Sequence, residues 1–223
     1  MKIVSIDQTG KVVFPDFDAR FCAKFAELIL WRRDVRKFRP DRLPDGCIDR
    51  LLRLACLAPS VGLSEPWRFV LVDDPARRQR IRENFKAANA VALASYSGDQ
   101  AALYASLKLE GIDHAPVQFA AFAEPDPHQG SGVGRLTMPE TVAYSVVTAI
   151  HTFWLAARAE GIGVGWVSIL DPATVAHDLD VPAHWHFVGY FCVGYPQDVA
   201  DTPELERVHW EKRADPASFI FRR

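Results

Sequence analysis

An α+β chain is what the sequence predicts, with a small mixed sheet packed between helices. Two helical patterns precede the first strand-like segment, helical segments outnumber strands, and strand and helix never alternate with the regularity of βαβ units. Residues 1–223 read as a single domain, with 1–15 an N-terminal arm, 98–135 a candidate lid and 197–223 an extended C-terminal segment. The apolar share of 49% is enough for one sizeable core.

Beyond the arm, Phe17, Phe21, Phe25, Leu28 and Ile29 recur at helical spacing, and Asp16 or Asp18 supplies a cap. Pro44 is expected in the first turn of a second helix that carries Ile48, Leu51, Leu52, Ala55 and Leu57 inward until Pro59 stops it. Residues 67–72 form an apolar strand. From Pro75 to Tyr96 the pattern is helical with an arginine-rich outer face, and 98–114 is a weakly patterned helical stretch suited to a lid. A second strand covers 116–122. Pro139 opens the longest helix, whose apolar face carries Val142, Val146, Ile150, Phe153, Trp154 and Ala157, and Gly161 closes it. Strands at 164–169 and 186–193 flank a short helix begun by Pro172.

Charge excludes some partners. With 26 basic and 28 acidic residues there is no whole-surface field to hold nucleic acid or an anionic membrane, so a local basic patch needs a local partner. Cys22, Cys47, Cys56 and Cys192 lack Cys-x-x-Cys spacing and suit a reduced, cytoplasmic setting. Residues 1–5 lack the apolar run of a signal peptide, and no stretch approaches the roughly 18 apolar residues of a membrane span.

Several motifs carry less than they first suggest. The run from Gly130 to Gly134 stands apart from its strand and suits a loop, while the run from Gly161 to Gly165 leaves a helix and enters a strand, the reverse of a dinucleotide fingerprint. His184 and His186 could share one side of a strand, but no third metal ligand lies at useful spacing. Ser64 sits in a loop before a strand, without the Gly-x-Ser-x-Gly elbow of a hydrolase.

Two segments remain. Six of the eleven residues from Arg32 to Arg42 are basic and follow a helix end; they either form a solvated loop pairing with Asp41, Asp45 and Asp49, or supply planar forks for a phosphate. Downstream, Ala58-Pro59-Ser60-Val61-Gly62-Leu63-Ser64-Glu65-Pro66-Trp67-Arg68-Phe69 is a polar turn that runs straight into a strand, and a late helix ends in Glu160-Gly161-Ile162-Gly163-Val164-Gly165-Trp166-Val167-Ser168-Ile169.

In order and motif, these segments resemble the flavin-dependent nitroreductase superfamily over residues 21–210, and within it the 5,6-dimethylbenzimidazole synthase group. The resemblance implies a nitroreductase-like fold and a domain-exchanged homodimer with FMN in the dimer interface. Arg32, Arg33 and Arg36, with Val35 between them, would hold the phosphate, ribityl chain and pyrimidine edge, and Arg207 would add a phosphate contact. Pro59, Ser60, Leu63 and Ser64 would reach in from the partner subunit, and Val167, Ser168 and Ile169 would face the flavin N5.

Asp34 and Ser168 match the catalytic pair of the synthase group. That match implies that reduced FMN is the substrate, that O2 is consumed and that 5,6-dimethylbenzimidazole, the lower ligand of cobalamin, is produced. NAD(P)H would act only indirectly, through a separate flavin reductase. Asp34, flanked by Arg33 and Arg36, is expected to stay ionised because adjacent cations lower a carboxyl pKa, and to accept a proton near the ribityl chain. Ser168, or its backbone N–H, would donate near N5. Glu65 departs from the Gln-Pro-Trp usual in the superfamily, and a carboxylate facing a reduced flavin would be costly unless it turned toward Arg68 or another cation. Two other functions stay open: a conventional NAD(P)H-dependent FMN nitro- or quinone reductase, and a flavin-binding protein without turnover. A loop over 126–135 that leaves room for a nicotinamide would favour the reductase.

Overall fold

The structure is a computed structural model that describes residues 15–107 and 111–223, together with the strand pairs at 5–6 and 12–13. The N-terminal arm expected over 1–15 otherwise lies outside the described residues, where Ser5–Ile6 (β1) pairs antiparallel with Val12–Val13 (β2).

The first helix, α1, spans Ala19–Trp31, and of the two candidate caps it is Asp18 whose carboxylate accepts the Phe21 N–H at 2.7 Å. Helix α2 covers Cys47–Ala55, beginning three residues after Pro44 because Gly46, at φ 71°, turns the chain into it. It buries Cys47, Leu51 and Ala55. The expectation that Leu57 points inward is corrected: the helix has already ended, and Leu57 is 66% exposed.

Strand β3 (Trp67–Leu71) leads to α3 (Pro75–Ala94), α4 (Gly98–Ser106) and α5 (Gly111–His114), then to strand β4 (Val117–Ala123). Helix α6 (Thr141–Ala159) buries every apolar position expected of it; at 19 residues it is one shorter than α3, so it is not the longest. Gly161 at φ 74° stops it, as a left-handed residue after a helix does. Strand β5 (Gly163–Val167), α7 (Pro172–Asp178), β6 (His186–Gly194) and α8 (Glu204–Arg207) complete the order. Ser168 and Ile169 thus lie just past the strand rather than within it. The C-terminal segment is interrupted by α8 and by a 3-10 turn at Pro216–Phe219.

The four-stranded sheet has the order β3-β4-β6-β5 and every neighbouring pair is antiparallel, so the expected mixed sheet is corrected. Among the described residues, parallel pairing is confined to a bridge between Asp34 and Val164 at the β5 edge. Helices cover both faces, which is why β4 is apolar at every position but Gln118 rather than alternating. Phe119, Ala121 and Ala123 meet Leu51, Ile150 and Phe153 from α2 and α6; Ala120 and Phe122 belong to a second cluster with Ile81 and Val175 from α3 and α7. Helix α1 buries none of its residues, and leaves Phe21, Phe25 and Ile29 about half exposed beside a groove of about 580 Å³ shared with Trp31 and Val199.

Candidate functional site

The site is assembled where α1 stops. Arg32 caps the helix in an extended conformation while its N–H still reaches the Leu28 carbonyl at 3.0 Å, so the next residues run straight along the sheet edge. There the Val35 N–H donates to the Val164 carbonyl at 3.0 Å. This approach is open only to glycine opposite: a Cβ on Gly163 would lie 2.8 Å from Val35 Cγ2, and one on Gly165 would collide with the Val35 carbonyl. The run from Gly161 to Gly165 therefore stops a helix, as its position suggested, and also seats the arginine segment against β5.

Asp34 sits at the centre. Its Oδ1 accepts the Trp166 N–H at 2.8 Å and its Oδ2 accepts Arg36 Nε–H at 3.4 Å. Burial pushes its pKa up, and this outweighs the lowering by the Trp166 hydrogen bond and Arg36. The expectation that neighbouring cations dominate is thereby corrected. The carboxyl is hemmed in by protein, yet 38% of the side-chain surface stays open to the adjoining clefts.

Three clefts meet at Asp34 and Arg36. One of about 100 Å³ is lined by Arg33, Asp34, Val35, Arg36, Lys37 and Arg207 among others, so the polar tail returns Arg207 to the cluster. A second, about 180 Å³, adds Arg32, Glu204 and Arg213. The third, about 200 Å³, joins Asp34 and Arg36 to Trp166, Val167, Ser168 and Ile169 and is closed by Asn89, Tyr104 and Trp210. Arg33 Nε and Arg36 Nη1 are buried without a hydrogen-bond partner, and burial lowers the pKa of Arg32 and Arg33. Buried guanidinium donors left unsaturated fit an anionic ligand. The solvated-loop alternative holds only for Arg39, which pairs with Asp41 at 2.9 Å; among the described residues Asp45 and Asp49 form no ion pair with the cluster.

Pro59, Ser60, Leu63 and Ser64 line none of these clefts. Their loop is tied to α6 instead: Val61 N–H donates to Ser145 Oγ at 3.0 Å, and Thr148 Oγ1 donates to the Pro59 carbonyl at 3.0 Å. Gln129 Nε2 donates to the Leu63 carbonyl at 2.7 Å, and a Cβ on Gly62 would lie 2.7 Å from the Val133 carbonyl oxygen, so the 129–134 loop packs on this one. Leu63 is 68% exposed, and the Ser64 hydroxyl is buried without a partner. Glu65 is exposed, Arg68 donates to its backbone carbonyl at 3.4 Å, and among the described residues its carboxylate forms no ion pair.

The lid expected over 98–135 narrows to α4 and the residue after it. Tyr104 and Leu107 border the Asp34 cleft, whereas 117–123 is an inner strand and 126–135 lies by the 59–64 loop. Tyr104 OH donates to Asn89 Oδ1 at 2.8 Å, its ring stacks on Tyr96 at 4.7 Å, and Trp210 meets Tyr96 edge-on at 5.6 Å. Sequence reasoning missed Asn89, Tyr104, Glu204 and Trp210. A lone tryptophan in a charged tail was the one available signal. His184, weighed as a metal ligand, lies 3.3 Å from Glu124 Oε2, which also accepts the Trp185 indole N–H at 2.8 Å.

Comparison with known proteins places the chain in a family. Residues 29–195 match the Nitroreductase family. A 5,6-dimethylbenzimidazole synthase of Rhodospirillum rubrum is 54% identical over 199 residues, covering 89% of this chain and 94% of the relative. Another, from Rhodobacter capsulatus, is 50% identical over 186 residues, or 83% and 90% of the two chains. Among solved structures, an oxidized iodotyrosine deiodinase bound to FMN and 3-iodo-L-tyrosine superposes with a TM-score of 0.66 at 22% identity, covering 79% of this chain and 91% of that one. The chain belongs to the nitroreductase family, and within it to the group of the 5,6-dimethylbenzimidazole synthases.

Proposed function

We propose that the protein takes reduced FMN and O2 and fragments the flavin to 5,6-dimethylbenzimidazole, the lower ligand of cobalamin. The observation that carries this reading is the meeting of Asp34 and Ser168 in one cleft beside the buried, unpartnered donors of Arg33 and Arg36. The relatives at 54% and 50% identity support the same reaction.

Arg32, Arg33, Arg36 and Arg207 hold the phosphate and ribityl chain, with Val35 fixing their segment on β5. Asp34, whose burial raises its proton affinity, accepts a proton from the ribityl chain; the higher affinity makes it a better base than a solvated carboxylate. The Trp166 N–H aims it. Ser168 is exposed to the cleft and, among the described residues, its hydroxyl makes no hydrogen bond, so it is free to donate to the ligand beside Val167 and Ile169. Bound reduced FMN supplies the electrons that oxygen takes up. Tyr104 and Trp210 keep bulk water from the cleft.

The working unit in this reading is a homodimer. The exposed apolar face of α1 needs cover, and the loop carrying Pro59, Ser60, Leu63 and Ser64, remote from the clefts of its own chain, completes the site of the partner. A separate flavin reductase delivers reduced FMN, with NAD(P)H acting indirectly, and the four free cysteines suit the cytoplasm.

The test is to reduce FMN on the protein without air, admit oxygen and analyse products by mass. A dimethylbenzimidazole signal is expected. Intact FMN recovered after each cycle would assign a conventional reductase instead, and absence of any oxygen reaction a flavin-binding protein.

A further inference from the structure

Two carboxylates share Arg36. Its Nε lies 3.4 Å from Asp34 Oδ2 and 3.8 Å from Glu204 Oε2, and only 15% of the Arg36 side chain is exposed. Glu204 opens α8, so the C-terminal segment returns an acid to the same clefts that Asp34 and Arg36 line. One guanidinium carries one positive charge and cannot neutralise both acids at these separations. The other groups facing Asp34 are Arg32, Arg33 and Lys37 from its own segment, Asp198 after β6, Arg207 and Arg213 from the tail, and the Cys192 thiol of β6, which burial keeps protonated; among the described residues Asp198, unlike Glu204, forms no ion pair with Arg36. In the functional reading above, the arginines with open donors are engaged by the ligand's phosphate. Glu204 is then the group that competes with Asp34 for Arg36.

We propose that Glu204 is a positioning residue for the reaction: by sharing Arg36 it keeps that cation from fully pairing with Asp34, and so leaves Asp34 the stronger proton acceptor. The inference rests on the reading of Asp34 as the base, and burial of Asp34 acts in the same direction.

Glu204→Gln separates the two ideas. In ligand-free protein carrying 13C-labelled aspartate, with the Asp34 signal assigned by its loss in Asp34→Asn, the Asp34 titration midpoint is expected to fall by about half a pH unit or more in Glu204→Gln, because a like charge has been removed. Glu204→Asp is expected to restore it. In the active protein, the acid limb of the pH–rate profile moves the same way, while FMN binding holds or tightens because an acid has left an anion site. An Asp34 midpoint unmoved in Glu204→Gln overturns the proposal, as does an acid limb that stays in place while the rate falls equally at every pH. If the midpoint moves yet the parent protein forms no benzimidazole, the functional reading fails and the charge coupling stands.

Discussion

The Trp166 backbone N–H donates to the Asp34 carboxylate across 132 residues of sequence, at 2.8 Å. Trp166 is itself held: its indole lies over Gly189 and packs 5.0 Å from the Phe191 ring, both on β6. The acid at the junction of the three clefts is therefore aimed from a sheet strand at 2.8 Å, with Arg36 beside it in sequence making only a longer contact of 3.4 Å. This explains how a residue just past a helix end can serve as a fixed group.

Asp34→Asn is the first test of that placement. Because burial raises the folded-state pKa, the folded protein binds this proton more tightly than the unfolded chain. The stability it contributes is full below the ordinary carboxylate value and is lost as pH rises through the raised folded value. Above that folded value the ionised side chain is a net burden and below it the carboxyl is neutral like an amide, so Asp34→Asn should melt no lower than the parent. Product formation should fall by about 10²- to 10⁴-fold. A melting temperature several degrees lower at pH 7 would contradict the account.

Arg33→Ala removes a buried donor that has no partner in the protein. Charge-assisted hydrogen bonds contribute about 1.5–3 kcal/mol, so FMN affinity should weaken by about 10- to 100-fold. The melting temperature of the ligand-free protein should stay close to that of the parent. Fluorescence titration with FMN and a thermal scan give both readings.

Two glycines four residues apart should behave differently. Alanine at Gly165 meets the Val35 carbonyl and pushes the arginine segment off β5, costing about 1–3 kcal/mol together with flavin binding. Alanine at Gly161 meets no atom within 4 Å and suffers only its φ of 74°, about 1 kcal/mol, with binding kept. Urea midpoints and flavin titrations distinguish them.

Tyr104→Phe deletes the hydrogen bond that ties α4 to Asn89 on α3. A loss of about 1 kcal/mol should speed amide exchange across α4 several-fold, while exchange in β4 and β6 stays unchanged. Equal protection in both proteins would mean that the aromatic contacts alone hold the roof.

Phe25→Glu places a charge on the exposed face of α1, where Phe25 is 44% exposed in the single chain. Sedimentation velocity should show the parent as a dimer and the variant shifted to monomer, with circular dichroism unchanged. A parent that sediments as a monomer would remove the shared-site reading.

Much of this was legible before any coordinates. The apolar face of α6, a cap at Asp16 or Asp18, the start of α7 at Pro172, and the four sheet strands are written in windows of five to twenty residues, where periodicity and turn chemistry act locally. The arginine segment and Ser168 were also readable as a group, because motif order survives as sequence. Leu57, by contrast, follows the same apolar pattern as Leu51 and yet faces out, since the place where α2 ends depends on how the chain turns toward the 59–64 loop.

By itself, then, the sequence determined the principal helices and the four sheet strands, though not α8 in the tail, and which side chains could hold an anion. Tertiary structure alone decided the antiparallel strand order, the placement of α4 beside the Asp34 cleft, the return of Glu204 from the tail, and the proton affinity of Asp34. Each of these is a balance between groups far apart in the chain. For Asp34 the balance lies between burial, one backbone donor and one shared guanidinium, and its sign is set by distances that sequence spacing does not contain.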